Sequence, residues 1–274
     1  MITIRGINVK TGPEVYVISR PSFDFAEMIR FLHDNDFSTN KLWASEGTDG
    51  EKLVEMATRL CYLSFEKGRS SEDFHKNILE QHHGSTIEHA NWTLLIAGVS
   101  RSWSHEMVRH RAGFAFSQLS QRYVDEGQCV FVMPPAVQEL DDIDQDLWVG
   151  TMVMALDGYK HLITVLSRQM DKQGLDKTTR RKRAREAARS ALPNATETMI
   201  TITGNARAWR HFIEMRSEAF ADAEMRRVAV AVYRKMVEEA PFLFGDYEEV
   251  HILEEGDGEI TKNVPVIHTE NKKV

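Results

Sequence analysis

The densest group of chemically capable side chains lies in the segment RHRAGFAFSQLSQRY at residues 109–123. Three basic residues open the segment, small residues follow, and hydroxyl and amide side chains continue as far as Arg122. A guanidinium group can bind a phosphate through two parallel hydrogen bonds, and Ser and Gln side chains can complete the hydrogen bonding of that phosphate. The segment therefore predicts a site for a small phosphate-bearing ligand. The alternative is that each Arg lies on a solvated helix face.

Arg216 is a second candidate because of its place in a predicted helix. A stripe of apolar residues at helical spacing surrounds it: Trp209, Phe212, Ile213 and Phe220. At about 100° per residue, Arg216 falls in the middle of that stripe. An internal charge without a partner is costly, so this Arg must find an anion or several acceptors. Two interpretations stay open: a buried ion pair with a core carboxylate, or a guanidinium that faces a bound ligand.

The turn at Gly204 and Asn205 links a predicted strand to the same helix. Free backbone N–H groups at the N-terminus of a helix favour a bound anion, although an Asn at this position is more commonly only an N-cap. Arg207 and His211 are four residues apart and therefore share one face of the helix. That face either binds a cofactor or contacts solvent.

Several common catalytic patterns are absent from the sequence. It contains no GxGxxG after a strand, no GxxxxGK, no GxSxG and no HExxH, so standard dinucleotide, nucleoside triphosphate and hydrolase sites are not supported. His105 and His110 are five residues apart and diverge on a helix, which does not suit a shared metal ion. A metal-dependent hydrolase built on His82, His83 and His89 remains an alternative, which metal analysis would test.

Composition excludes several classes of protein. The chain has 274 residues, 42% hydrophobic and 27% charged, as in ordinary globular proteins. Its apolar runs are too short to cross a bilayer, and its N-terminus lacks a signal-like apolar core, so we expect a cytoplasmic protein with no membrane partner. Two cysteines, Cys61 and Cys129, do not suggest a disulfide framework. A net charge of −7 argues against coating nucleic acid, although the basic block at 180–189 leaves an RNA-binding module as an alternative.

Strand and helix patterns do not alternate regularly along the chain. Strand patterns occur at 14–19, 92–99 and 197–203, and long helical patterns at 141–173, 179–191 and 206–239, with a loop leading to Ser120. This distribution predicts an α+β fold, with a mixed sheet and long helices, rather than a doubly wound sheet. No linker composition marks a boundary, so we predict a single domain over 1–274, with a hairpin around 255–258 and a polar tail from about 254.

Six blocks of the sequence resemble, in order, those of the flavin-dependent thymidylate synthase family. The blocks are HHGSTIEH (82–89), SRSWSHEMVRHR (100–111), SQLSQRY (117–123), RRKRAREAAR (180–189), LPNATET (192–198) and TGNARAWRHFIEMR (203–216). The resemblance covers most of residues 50–245. It implies that family's fold and the reductive C5-methylation of a uridine 5′-monophosphate. It also implies FAD, NADPH and 5,10-methylenetetrahydrofolate as cofactors, and a homotetramer with shared active sites.

The same resemblance implies roles for individual residues. Positions that contact FAD match Ser85, Arg109, His110, Arg111, Asn205, Arg207 and His211. Positions around the nucleotide match Arg101, Glu106, Gln118, Ser120, Gln121, Arg122 and Arg189. Arg216 matches the catalytic Arg that activates the uracil ring by stabilising charge on its N3–C4 side. Neither cysteine lies in the Pro-Cys context of the thymidylate synthases that use a Cys nucleophile.

Two positions depart from the family pattern. Eight residues, 112–119, separate the RHR triplet from Ser120, where the family has seven. The extra residue lies in the loop that wraps the nucleotide, and relatives that methylate the ribonucleotide exist, so we predict methylation of UMP as well as dUMP. The alternative is that the insertion bulges into solvent and dUMP alone is accepted. Phe220 stands where many members carry a His near the flavin.

Overall fold

The elements of the fold are taken from a computed structural model that describes residues 1–37, 44–66, 68–255, 261–272 and 274. The helices are α1 (Phe25–Asp34), α2 (Asp49–Cys61), α3 (Ser71–Glu80), α4 (Gly84–Ile87), α5 (Arg101–Met107), α6 (Pro135–Gln138), α7 (Asp142–Lys172), α8 (Lys177–Ala188), α9 (Ala206–Arg216), α10 (Ala223–Glu239) and α11 (Pro241–Phe244). The strands are β1 (Ile2–Ile4), β2 (Ile7–Lys10), β3 (Glu14–Ser19), β4 (Asn91–Ser100), β5 (Phe114–Gln118), β6 (Val130–Val132), β7 (Glu197–Asn205), β8 (Glu248–Glu255) and β9 (Thr261–His268).

The described strands form three sheets with the orders β1-β2-β6, β3-β4-β7-β5 and β8-β9. In the first sheet β1 pairs antiparallel with β2, and β2 pairs parallel with β6, so this sheet is mixed. The strands are interspersed with long helices, of which α7 alone covers 31 residues. The predicted α+β class with a mixed sheet and long helices is therefore confirmed.

Residues 1–14, 96–109 and 116–201 form one compact unit, called unit 1 below. Val9 of β2 lies opposite Phe131 of β6, and both are fully buried. The same core contains Val149, Met152, Leu156 and Tyr159, which recur at helical spacing along α7. The helix α7 thus covers the β1-β2-β6 sheet because its apolar face and the alternating strand residues are buried together.

Residues 15–95, 110–115 and 202–274 form the second compact unit, unit 2. The guanidinium of Arg210 on α9 is fully buried there and donates two hydrogen bonds to the Asp246 carboxylate, at 2.6 and 2.8 Å. It also donates to the Leu243 carbonyl at 2.6 Å and lies 4.4 Å from the centroid of the Tyr247 ring. Burial opposes ionisation of Asp246, but the hydrogen bonds from Arg210 hold the pKa of that carboxyl below its ordinary value. This ion pair joins α9 to the segment after α11.

The helix expected over 206–239 is two helices, α9 and α10, so that expectation was wrong. The break ends at Asp222, whose carboxylate accepts hydrogen bonds from the backbone N–H groups of Glu224 and Met225 and so caps α10. Phe220 lies in the break and is 87% exposed. Arg216 is consequently the last residue of α9, half-buried at the end of the apolar stripe rather than buried in its middle.

Two other segments contain strands where the sequence predicted a loop and a polar tail. The loop expected before Ser120 contains β5, which begins directly after Gly113, a residue with a φ of 75°. The segment after about residue 254 contains β9, where Val266 and Ile267 are buried. The turn of the predicted hairpin, residues 256–260, lies outside the described residues. The single-domain organisation stays a prediction.

The two cysteines lie in contrasting environments. Cys61 ends α2 and is exposed, whereas Cys129 is buried in the core of unit 1. Burial, with a smaller contribution from the Glu126 carboxylate, raises the pKa of the Cys129 thiol to about 12. No helix in the described part of the chain is long and apolar enough to cross a membrane.

Replacing Asp246 with Ala is expected to lower the free energy of unfolding by about 3–5 kcal/mol, because the buried Arg210 charge loses its partner. Urea denaturation monitored by circular dichroism measures the change. The control is Glu249→Ala, which removes the partner of the exposed Arg234, 3.0 Å away, and should cost about 1 kcal/mol or less. Equal losses in the two variants would show that the Arg210 pair does not anchor α9.

Candidate functional site

The junction between β7 and α9 places three of the predicted cofactor residues. The side-chain oxygen of Asn205 accepts a hydrogen bond from the backbone N–H of Ala208 at 2.8 Å, so Asn205 is an N-cap. The backbone N–H of Ala206 donates to the Ala90 carbonyl at 2.8 Å and fixes the start of the helix. Arg207 and His211 then project from the exposed side of the first two turns of α9.

A cavity of about 330 Å³ lies at this end of α9 within unit 2. It is lined by Glu88, Ala112, Gly113, Asn205, Arg207, Ala208 and His211. Gly113 packs so closely that a Cβ there would lie 2.8 Å from the Ala208 Cβ and 3.0 Å from the Asn205 Nδ2. The cavity therefore has small apolar walls and a polar, partly cationic rim, as suits an aromatic ligand that carries anionic groups.

Arg207 connects this cavity to helix α4, where Ser85 is exposed. The Arg207 guanidinium donates to the Glu88 carboxylate at 2.7 Å, and both side chains are about half exposed. Such an exposed pair contributes little stability and can exchange its partner for a ligand anion. A Cβ at Gly84 would lie 2.9 Å from the Arg207 Nε, so the absence of a side chain at residue 84 makes room for the guanidinium.

A second contact in unit 2 brings His110 and Arg216 together. The Nε of Arg216 donates a hydrogen bond to the Nε2 of His110 at 2.9 Å. The His110 ring centroid lies 6.1 Å from that of His211 and 5.6 Å from that of Phe212. Burial, then the charge of Arg216, then His211, lower the pKa of His110 to about 4. At neutral pH His110 is therefore an uncharged hydrogen-bond acceptor beside a permanent cation.

In unit 1, Arg101 lies within electrostatic range of the Glu126 carboxylate and of the Arg189 guanidinium. Arg101 is the first residue of α5, and Arg189 follows the last turn of α8. Burial lowers the pKa of Arg101, the Glu126 carboxylate raises it, and the positive charge of Arg189 lowers it again. Two guanidinium groups close enough to repel each other are stabilised by an anion, so this pair suits a phosphate.

The other predicted nucleotide residues of unit 1 are mostly half-buried. Gln118 donates through its Nε2 to the Ser104 hydroxyl at 2.8 Å and to the Thr198 hydroxyl at 3.1 Å, which orients the amide. The Ser120 hydroxyl accepts from the backbone N–H of Arg122 at 3.4 Å. Gln121 is 6% exposed, and its Nε2 has no hydrogen-bond partner among the residues that the structure describes. A buried amide NH2 group without an acceptor can donate a hydrogen bond to a bound ligand.

The predicted residues divide cleanly between the two units. Unit 2 contains Ser85, His110, Arg111, Asn205, Arg207, His211 and Arg216, whereas unit 1 contains Arg101, Glu106, Arg109, Gln118, Ser120, Gln121, Arg122 and Arg189. Arg109 and Arg111 are both exposed, and the Arg109 Nε donates to the His105 carbonyl at 3.3 Å. In the described ranges, no group of three or more His, Cys, Asp or Glu side chains is placed to hold a metal ion.

Sequence reasoning missed three residues of these sites. Glu88 pairs with Arg207, and its only signal was its place in the HHGSTIEH block. Gly113 forms part of the cavity wall. In the sequence, only its position two residues after the RHR triplet pointed to it. Glu126 is a buried carboxyl, 4% exposed, whose pKa burial raises while Arg101 opposes the rise. Nothing in the sequence around Glu126 indicated that it would be buried.

The sequence is similar to proteins of one family. The sequence model of the family described as thymidylate synthase complementing protein matches residues 42–242. The flavin-dependent thymidylate synthase of Mycobacteroides abscessus is 43% identical over 213 residues, 75% of this chain and 83% of that protein. The enzyme of the same name from Mycolicibacterium vanbaalenii is 41% identical over 218 residues, 78% of this chain and 86% of that protein.

A solved structure shares the fold. It is the UMP/dUMP methylase PolB from Streptomyces cacaoi bound with 5-Br UMP, with a TM-score of 0.60 and 20% sequence identity, covering 87% of this chain and 95% of that one. At that identity the likeness concerns the fold alone.

Replacing Gly113 with Ala is expected to destabilise the chain more than the same change at Gly174. Both residues have φ near 75°, which costs an Ala about 1–2 kcal/mol, but nothing lies within 4 Å of a Cβ at Gly174. The additional loss at Gly113 therefore reports the contact with Ala208 and Asn205. Urea denaturation of both variants measures it. Equal free energies of unfolding would show that the cavity wall has room for a methyl group.

Proposed function

The chain belongs to the thymidylate synthase complementing protein family, and on that premise we propose that it methylates a uridine 5′-monophosphate at C5. In the reaction the C5–H of the uracil becomes C5–CH3. Methylenetetrahydrofolate supplies the carbon and is released as tetrahydrofolate, while NADPH and a proton supply the hydrogen and leave NADP⁺. The observation that carries the proposal is the Arg216 guanidinium, held 2.9 Å from a neutral His110 beside the residues that line the unit 2 cavity.

The cavity in unit 2 fits a flavin, the cofactor class that the names of the curated relatives state. Gly113 lines this cavity, and a Cβ there would collide with Ala208 and Asn205, so the wall at this point is formed by closely packed backbone. We propose that FAD is held in unit 2 by Ser85, His110, Arg111, Asn205, Arg207 and His211; the family resemblance also assigns Arg109 to the cofactor. When bound, the flavin would supply the redox chemistry between NADPH and the folate-derived carbon. In this arrangement, Arg207 exchanges Glu88 for an anionic group of the cofactor.

Arg216 would act on the uracil ring as a fixed cation. Its guanidinium remains protonated at any working pH, and its hydrogen bond to His110 leaves the positive charge uncompensated by that neighbour. A cation aimed at the N3–C4 side of uracil stabilises the negative charge that develops there as C5 becomes nucleophilic. The proposed catalytic role of Arg216 adopts the ligand-facing interpretation of this residue.

The nucleotide would be bound through residues of unit 1. We propose that Arg101 and Arg189 bind the phosphate, since the positive charge of each lowers the free-energy cost of placing an anion beside the other. Gln118 and Gln121 offer amide groups to the base or sugar, and Glu106, Ser120 and Arg122 complete the set carried over from the family. The extra residue between Arg111 and Ser120 supports acceptance of UMP beside dUMP.

The remaining expectations stand as proposals. We propose a homotetramer with shared active sites, located in the cytoplasm, with no nucleic-acid or membrane partner. The alternative of an RNA-binding helix is weakened by the ion pairs of α8, where Arg180 pairs with Asp171 and Arg185 with Asp125. These pairs neutralise part of the basic block that suggested it.

The purified protein is expected to bind FAD and to methylate both dUMP and UMP. Flavin fluorescence titration measures the first property, and steady-state kinetics with each nucleotide, methylenetetrahydrofolate and NADPH measure the second. Protein without flavin binding or product from either nucleotide would contradict the proposed function. A kcat/KM for UMP more than ~1000-fold below that for dUMP, about 4 kcal/mol, would contradict the relaxed sugar selectivity alone.

Replacing Arg216 with Ala is expected to lower the methylation rate ~100-fold or more while FAD remains bound. The reason is the loss of an electrostatic contact worth on the order of 3 kcal/mol in the transition state. Arg234→Ala is the matched control, because Arg234 lies exposed on α10 and pairs with Glu249. Near-normal turnover by Arg216→Ala would show that the residue has only a structural role.

A further inference from the structure

We propose that His110 is a positioning residue for Arg216. Its ring accepts the Nε–H of the guanidinium and so holds the cation in the orientation that the uracil ring requires. The inference rests on the proposed function and deepens it, because it names what fixes the catalytic group. The 2.9 Å contact between Arg216 Nε and His110 Nε2 carries it.

The contact fixes the state of the imidazole. An Arg side chain has only donors, so the Nε2 of His110 must present a lone pair. The ring proton of neutral His110 is therefore on Nδ1, whose N–H is left to donate elsewhere. The permanent charge on Arg216 selects this tautomer for as long as the two side chains stay in contact.

The surroundings keep His110 neutral. Its ring is half-buried and lies edge-to-face with Phe212, and among the residues that the structure describes the charged or titratable groups that shift its pKa are Arg216 and His211, both on α9. Protonation would place two cations 2.9 Å apart and remove the acceptor. The pKa of about 4 means that the contact persists throughout the neutral range and is lost as the pH falls toward 4.

A neutral acceptor suits this task better than a carboxylate. A carboxylate would bind the guanidinium more tightly, but it would also neutralise the charge that must stabilise the uracil anion. An imidazole lone pair fixes the direction of the guanidinium and does not itself neutralise its charge. Arg216 is the last residue of α9, and its side chain is half-buried there.

Two variants separate positioning from mere packing. His110→Gln keeps an acceptor, since the Gln Oε1 can take the place of Nε2, whereas His110→Leu keeps the bulk and removes the acceptor. A misplaced catalytic group can cost ~100-fold, so we expect His110→Leu to lose about that factor in kcat with KM for the nucleotide changed by less than ~3-fold. His110→Gln should recover most of the loss. Flavin binding and its reduction by NADPH, measured in both variants, report whether the cofactor site is intact.

A measurement on the wild-type protein tests the same contact without any turnover. In ¹⁵N spectra of labelled histidine, His110 should carry its proton on Nδ1 at pH 7 and titrate near pH 4. Arg216→Ala should move that midpoint upward, because a repelling cation is removed, while burial keeps it below the ordinary 6.5. Arg207→Ala should leave it unchanged, since the Arg207 charge is already paired with Glu88.

Different outcomes would overturn the positioning role of His110 and the proposed methylation. Full kcat in His110→Leu, equal losses in the Leu and Gln variants with flavin still bound, or an Nε2-protonated ring at pH 7 would each overturn the positioning role. A wild-type protein that methylates neither nucleotide would instead overturn the proposed function, whatever the histidine spectra show.

Discussion

Burial of one guanidinium, that of Arg210, fixes the orientation of α9, and α9 carries much of the chemistry of unit 2. Arg210 makes four hydrogen bonds, to Asp246, Leu243 and Asn271, and its charge cannot be relieved by deprotonation. At about 100° per residue, Arg207 and His211 lie about 60° and 100° to one side of Arg210 around the helix, so the anchoring of Arg210 also sets how these two exposed side chains face the cavity. The geometry of the candidate site is thus a consequence of where a structural charge is buried.

Arginines serve two separate purposes in this chain. Arg59 and Arg210 are buried, and carboxylates satisfy them: Glu55 at 2.8 Å and Asp246 at 2.6 Å. The candidate ligand-binding arginines Arg101, Arg207 and Arg216 differ, because all three are half-buried or exposed. Buried guanidinium groups paired with carboxylates thus hold the fold, and more accessible ones lie where an anion from outside the chain can reach them.

The sequence predicted the elements whose signals are local. The strand at 14–19 coincides with β3, and the capping role of Asn205 follows from its position between a strand and a helix. The burial of Arg210 was not predictable, because its partner Asp246 is 36 residues away. Apolar residues at helical spacing continue as far as Phe220, so the pattern gave no sign of the break after Arg216. Asp222, by contrast, is a recognisable N-cap residue in the sequence. Predicting that Arg216 is only half-buried would have required knowing that Phe220 is exposed.

Of the two thiols, Cys61 is the one that a reagent can modify in the native protein. A thiolate is the reactive form of cysteine, and with a pKa of about 12 only roughly one Cys129 side chain in 10⁵ is ionised at pH 7, inside a packed core. Cys61 is exposed at the end of α2, next to Tyr62. A maleimide dye added to the native protein would therefore attach at Cys61 alone. The unaltered sequence already provides a single labelling point from which fluorescence could follow ligand binding in unit 2.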